Sequence, residues 1–289
     1  MAETIRLACG SSSAAISLRG AELLERTALS RSLLWTPDPT FWSETAPVLF
    51  PVVGWTCNGE IRVKGKRFPL GLHGFARQSD FRVQSATTDC VRLILESNAT
   101  TRALYPFDFS LQVEHRLTDR SLATTLSVTN RGDENMPYAC GLHPGFRWPF
   151  AGGDQRDYRI VFDLPEEPHV PVISPRGLFL PQKRPIALEG RLLALTPELF
   201  AREALCFLNA HSQSLRFEHE GGSTILIEME DFPHIALWSK PGAPFLSIEA
   251  WTGHGDPEDF QGDIFAKPSM RILGPGMTAQ HRTKFTFAV

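Results

Sequence analysis

The stretch "FSLQVEHRL", residues 109–117, puts Phe109, Leu111, Val113 and Leu117 on one side of an extended chain. After the turn "TDR", "LATTLSV" at 122–128 does the same with Leu122, Leu126 and Val128. A period of two is the signature of a half-buried strand, and two such runs across a short polar turn make an antiparallel hairpin. Working outward, "SLRFEHE" (214–220) and "TILIEME" (224–230) flank Gly221-Gly222. "IALWS" (235–239) and "FLSIEAW" (245–251) follow, and "GPGM" (274–277) is expected to turn a last hairpin into "HRTKFTFAV" (281–289). Strands without regular strand–helix alternation indicate an all-β sandwich or barrel. The one helix-like run is 196–205, "TPELFAREAL", with Thr196 to cap, Pro197 at the first helical position and Glu198 in the first turn. Residues 163–190 are proline-rich and aperiodic, and read as a long surface excursion. Alternation resumes after them unchanged, so one domain over 1–289 is expected.

Composition narrows the classes. With 42% hydrophobic and 21% charged residues the chain is that of an ordinary globular protein. A formal charge of −3 and the absence of a basic stripe leave nothing to neutralise phosphates, so nucleic acid is not an expected partner. No signal-peptide pattern opens the sequence and no run approaches ~20 apolar residues, so a cytoplasmic protein without a membrane partner is expected. Five scattered cysteines without CxxC spacing read as reduced thiols. GxSxG, HExxH, GxGxxG and P-loop patterns are all absent.

What remains is a set of histidines and one glutamate. In "YACGLH" (138–143), His143 shares its strand face with Ala139 and Gly141. Such small neighbours suit either a ligand pocket or a close backbone crossing. In "FLSIEAW", Leu246, Ile248 and Ala250 oppose Phe245, Ser247, Glu249 and Trp251. A carboxylate between aromatic rings suits a sugar, whose C–H faces stack while its hydroxyls hydrogen-bond; a half-exposed edge strand would look the same. His73 lies in the glycine-rich "GLHGFAR" (71–77), four residues before Arg77, in a loop able to face a ligand. His254 follows Glu249 closely, and the nearby acidic cluster Asp256, Glu258 and Asp259 reads as a solvated turn rather than a calcium loop.

Taken in order, "APVLFPVVGW…GLHGFARQSDFRV" (46–83), "GLHPGF" (141–146), "LTPELFAREAL" (195–205) and "FLSIEAWTG" (245–253) resemble the aldose 1-epimerases, in the branch carrying an HGFAR signature. The resemblance runs from about residue 40 to the carboxyl terminus. It implies a large antiparallel β-sandwich of the galactose mutarotase-like supersandwich kind, with a sugar on the concave face of a sheet. It implies Glu249 as the base at the anomeric hydroxyl and His143 as the acid at the ring oxygen, with neither metal nor nicotinamide. His73 and Arg77 would hold hydroxyls or a phosphate, Trp55 and Trp251 would border the sugar, and Asp231 is the nominee for the substrate-binding aspartate.

On that reading Glu249 starts ionised and His143 protonated, the two facing one another across a sugar-sized gap. Three features depart from the pattern. Trp55 follows Gly54 where relatives often carry arginine, Leu72 precedes His73 where the hexose-6-phosphate branch has glutamine, and "SETAPVL" (43–49) stands where that branch has an RGG-like segment. The first loses a substrate contact, and the last two weaken a phosphate site, which demands convergent cationic donors. A neutral aldose is therefore the expected partner. A non-catalytic carbohydrate-binding protein, a hexose-6-phosphate 1-epimerase and a metal-dependent cupin-like enzyme stand as alternatives.

Overall fold

The structure is a computed structural model that describes residues 3–289. The opening hairpin forms as its alternation requires. Phe109–Leu117 pairs antiparallel with Ser121–Asn130, setting Leu111 opposite Val128, Val113 opposite Leu126 and Leu117 opposite Leu122. All six are buried, each contributing about 1.5–3 kcal/mol relative to exposure. His115 shares that core face. Its ring lies 3.0 Å from Thr124 Oγ1 and 2.9 Å from the Ala21 carbonyl, and burial lowers its pKa to about 4, so it stays neutral.

This hairpin sits in a ten-stranded antiparallel sheet whose ends are Leu188–Glu189 and Arg82–Ala86. The final strand, Thr278–Ala288, does not fold back on Arg271–Leu273 as the "GPGM" turn suggests. It runs between Ser121–Asn130 and Thr224–Glu230, while Arg271–Leu273 pairs with Met136–Tyr138. A strand with His281, Thr283, Phe285 and Phe287 buried on one face completes the large sheet better than it would serve an isolated hairpin.

A second sheet holds Leu205–Phe207, His234–Trp238, Phe245–Trp251, Gly141–Leu142 and Val48–Leu49, with Gly145–Arg147 also paired to Phe245–Trp251. Leu246, Ile248 and Ala250 of its central strand join the same apolar cluster as Leu126 and Phe285 of the large sheet, and the Phe146 ring meets Phe285 edge-on at 5.1 Å. The two sheets thus make a sandwich. On the opposite face of that strand, Phe245 and Trp251 pack into two smaller clusters separate from the main core.

One further expectation changes, and two elements appear that the sequence reading did not place. Residues 196–205 give only a 3-10 turn, Pro197–Phe200, because Glu203 takes a left-handed φ of 70° and Leu205 already begins a strand. Among the described residues the one α-helix is Ala99–Leu104, capped by Asn98, whose side chain accepts from the Thr101 N–H while the Thr101 hydroxyl accepts from the Asn98 N–H. The excursion at 163–190 contains a hairpin, His169–Ile173 with Phe179–Pro185. All five cysteines are free, and among the described residues no helix is long and apolar enough to cross a membrane.

Candidate active site

Alternate residues of Phe245–Trp251 point the same way, so Ser247, Glu249 and Trp251 form a row on the face turned from the core. The chain from 141 to 147 crosses that row. Gly141 pairs with Trp251 and Gly145 with Ser247, and between them Pro144 interrupts the ladder and lifts His143 over the strand. The row then holds the imidazole at both nitrogens. Nδ1 lies 2.9 Å from Ser247 Oγ and Nε2 lies 3.2 Å from Glu249 Oε1. Trp251 Nε1–H donates to Glu249 Oε2 at 3.0 Å.

Gly141 is small for packing rather than for opening a pocket, since a Cβ there would lie 2.9 Å from the Ala250 carbonyl and from the Trp251 ring. The open space comes from loops. A cavity of about 330 Å³ lies over His143 and Glu249, a size ordinary for a small-ligand site. Trp42, Trp55, Trp238, Trp251 and Phe179 give it apolar walls; Glu44, His73, Arg77 and Glu203 supply its remaining polar groups.

The two central groups are nearly closed off from water, with Glu249 2% and His143 8% exposed. Burial therefore pushes Glu249 well above the carboxylate range against its bonds from Trp251 and Ser247. Burial likewise drives His143 down to about 3, and the Arg77 charge pushes the same way. Burial thus disfavours the charged form of both groups. This corrects the expected starting charges. It also corrects the expected sugar-sized gap, because the two side chains touch.

His73 stands 5.5 Å from the His143 ring, centroid to centroid. Its Nδ1 accepts from the Gly54 N–H at 3.1 Å, which places the ring proton on Nε2, and burial keeps the ring neutral, with His143 and Arg77 acting in the same sense. The loop is tightly fixed: a Cβ at Gly74 would lie 2.3 Å from the Phe50 carbonyl. Arg77 is not a free cation. Its Nη1 is 2.7 Å from both oxygens of Glu44, a partner that sequence reasoning missed.

The other nominees divide. Trp251 holds Glu249 and Trp55 lies at the pocket mouth. Asp231 is outside the pocket, turned to His281 Nδ1 at 3.1 Å and Arg271 at 3.4 Å on an exposed turn. His254 packs against Phe179 and His234 and also stays out of the pocket. Asp256 is no solvated acid: it is 3% exposed and paired with Lys267 at 2.8 Å. Among the described residues no group of three or more His, Cys, Asp or Glu is placed to hold a metal.

Residues 3–286 match the family described as Aldose 1-epimerase. The chain belongs to the aldose 1-epimerase family. Within that family it is similar to the chromosomally encoded protein LacX of Lactococcus lactis subsp. lactis, 33% identical over 232 residues that cover 76% of this chain and 77% of the relative. Among solved structures, it resembles a galactose mutarotase related enzyme from Lactobacillus acidophilus, 28% identical with a TM-score of 0.90 over 99% of this chain and 98% of that one. A galactose mutarotase-like protein from Lactobacillus casei is 29% identical, with a TM-score of 0.92 over 99% and 100%.

Sequence reasoning overlooked much of the wall in this aldose 1-epimerase family member. Trp42 lies 5.0 Å from the His143 ring and Trp238 lies 5.7 Å from it, centroid to centroid. The hairpin from the 163–190 excursion brings Ile173, Gly177 and Phe179 to the pocket. Glu44 alone had a visible signal, as the acid in the segment where an RGG-like stretch was missing.

Proposed function

We propose that the chain interconverts the α and β anomers of a neutral aldose, with His143 and Glu249 as the acid–base pair. The observation that carries this is their 3.2 Å contact on the floor of an aromatic-walled cavity. Ring oxygen O5 and anomeric oxygen O1 are both bonded to C1. Two groups standing side by side can therefore serve both oxygens.

The shared proton first passes from Glu249 Oε1 to His143 Nε2. Bonds to the carboxylate from Trp251 and Ser247 favour that form, and bound hydroxyls add to them. Glu249 then takes the O1 proton as the C1–O5 bond breaks and C1=O1 forms, while His143 gives its proton to O5. Rotation about C1–C2 and reversal of the same steps returns the other anomer. The His73 Nε2–H is oriented to donate to a sugar oxygen. Polarimetry on freshly dissolved aldoses, extrapolated to zero buffer, tests the reading; decay at the uncatalysed rate with every aldose would remove it.

The alternatives meet specific obstacles. A phosphorylated hexose needs a cation, yet Arg77 is neutralised by Glu44 and Glu203 adds a negative charge. The free hexose is expected to exceed its 6-phosphate in kcat/KM by about tenfold or more, and a preference for the phosphate would reverse the assignment. A purely binding role would leave the floor contact without a task.

The pair also fixes the pH response. The competent site carries one proton; a second must go to His143, near pH 3, and the first leaves only when the raised Glu249 ionises. Between about pH 5 and 7 kcat/KM is expected to stay constant within roughly twofold, without a limb at the free-histidine value of about 6.5. A midpoint there would show that the two groups titrate independently.

A further inference from the structure

Ser247 stands behind the His143–Glu249 contact and does not line the cavity above it. It is 0% exposed, paired with Trp238 on one side and Gly145 on the other. Its hydroxyl meets three partners. His143 Nδ1 lies 2.9 Å away, the Pro144 carbonyl accepts at 3.2 Å, and a bond from the same hydroxyl favours the ionised Glu249 carboxylate. A serine oxygen has one proton to give and two lone pairs with which to receive. The three partners cannot all be acceptors.

Two of them can do nothing else. The Pro144 carbonyl is a fixed acceptor, held in place by the Ile248 N–H at 3.1 Å, and an ionised carboxylate also only accepts. These two compete for the one Ser247 proton, Pro144 while Glu249 is protonated and Glu249 once it is not. In both states only lone pairs are left for His143. Its Nδ1 must then carry a proton and donate it to Ser247 Oγ, because a bare Nδ1 would set lone pair against lone pair in a site closed to solvent. Trp42, His73 and Trp238, with ring centroids 5.0, 5.5 and 5.7 Å from that of His143, pack against any turning of the ring.

The proton on Nδ1 decides what Nε2 can do. A neutral imidazole protonated at Nδ1 offers an open lone pair at Nε2, the atom 3.2 Å from Glu249 Oε1. That form can take the shared proton and hand it to O5. The other tautomer already carries a proton at Nε2 and has no place to receive one, and an imidazole in the wrong tautomer is a poor proton carrier however well it is placed.

Resting on the anomer-interconverting reading above, we infer that Ser247 is a positioning residue that sets the tautomer of His143: its hydroxyl accepts from Nδ1–H throughout the cycle and swings its own proton from Pro144 to Glu249 as the carboxyl ionises. It thereby keeps Nε2 open and steadies the carboxylate that the proton leaves behind. Because Ser247 does not reach the cavity, its contribution belongs to kcat rather than to KM.

The test reads tautomer and rate together. Wild type and Ser247→Ala are prepared with isotope-labelled histidine, the His143 ring signals being those lost in His143→Gln, and long-range proton–nitrogen correlation NMR shows which ring nitrogen is protonated. Wild type is expected to hold the His143 proton on Nδ1. In Ser247→Ala that proton loses its acceptor and should move to Nε2, where Glu249 receives it. Polarimetry on a free aldose should then show kcat lowered about ten- to a hundredfold, the worth of a buried hydrogen bond left unmade, with KM within about twofold of wild type. A merely structural loss would slow the enzyme without moving the proton. A bare Nδ1 in wild type overturns the inference, as does Ser247→Ala with an unchanged tautomer, with wild-type kcat, or with a loss confined to KM; in each case the wild-type rate keeps the parent reading standing. Absence of anomer exchange by wild type overturns the parent reading and this inference together. Should Ser247→Ala not fold, the wild-type tautomer decides alone.

Discussion

Glu249→Gln is expected to lower kcat/KM for anomer exchange by about 10²–10⁴-fold, the usual worth of a positioned general base. Glutamine keeps the shape of the side chain and an oxygen to accept from Trp251 Nε1–H, so the strand Phe245–Trp251 and its pairing with His234–Trp238 and Gly141–Leu142 have no cause to shift. It also removes a carboxyl whose ionised form burial disfavours, so the thermal midpoint should hold or rise. A damaged fold would lose rate and stability together; a missing base loses only rate. His143→Gln should fall in the same range. Because the two groups exchange one proton and act as a unit, the double variant should be hardly slower than either single one. Polarimetry with parallel calorimetry reads both quantities. A Glu249→Gln protein running at the wild-type rate would end the mechanism.

The parts of this molecule that the sequence disclosed are those in which one face meets the core and the other meets water. The hairpin 109–128 has that asymmetry, and its alternation gave partners and register. The strand Phe245–Trp251 does not: all seven residues are buried, and only the contrast of Ser, Glu and Trp with Leu, Ile and Ala told its faces apart. Local pattern misled where long-range pairing won. Residues 278–288 look like the return of a "GPGM" hairpin, but two strands far away in sequence offered a continuous ladder on both edges. Residues 197–205 carry helix-start signals, yet Leu205–Phe207 is drawn into the sheet by His234–Trp238. Within the site, His143, Glu249 and His73 were legible as isolated types, whereas the contact of His143 with Glu249, the burial that disfavours their charged forms and the Glu44 clamp on Arg77 depend on approaches between segments that alternation does not encode. Asp231 and Asp256 were misread for the same reason: a carboxylate's partner, not its neighbours in sequence, decides what it does.

Asp256 carries the second large expected effect, on stability. Its Oδ1 lies 2.8 Å from Lys267 Nζ, with side chains 4% and 1% exposed, and its Oδ2 accepts from the Cys57 N–H at 2.8 Å. Its backbone N–H donates to the Trp55 carbonyl and its carbonyl accepts from the Phe179 N–H. One residue thereby ties the loop that bears Trp55 to the strand that begins at Phe179. A buried ion pair is weak evidence for net stability, because desolvation consumes most of the attraction; removing one partner is another matter, since it strands the other charge. Lys267→Met leaves the Asp256 carboxylate with Cys57 N–H but without its cation, and should cost about 3–5 kcal/mol. For a chain of this size that is roughly 10 °C in thermal midpoint. Adding Asp256→Asn to Lys267→Met keeps the side chain's shape, removes the stranded charge and should recover a large part of the loss. Recovery of this kind separates a charge effect from a packing effect, because methionine in place of lysine leaves nearly the same volume in both proteins. Denaturant titration with m held constant measures it. If Lys267→Met unfolds within about 1 kcal/mol of wild type, the pair is solvated in solution and the rim loops are held by their backbone bonds alone.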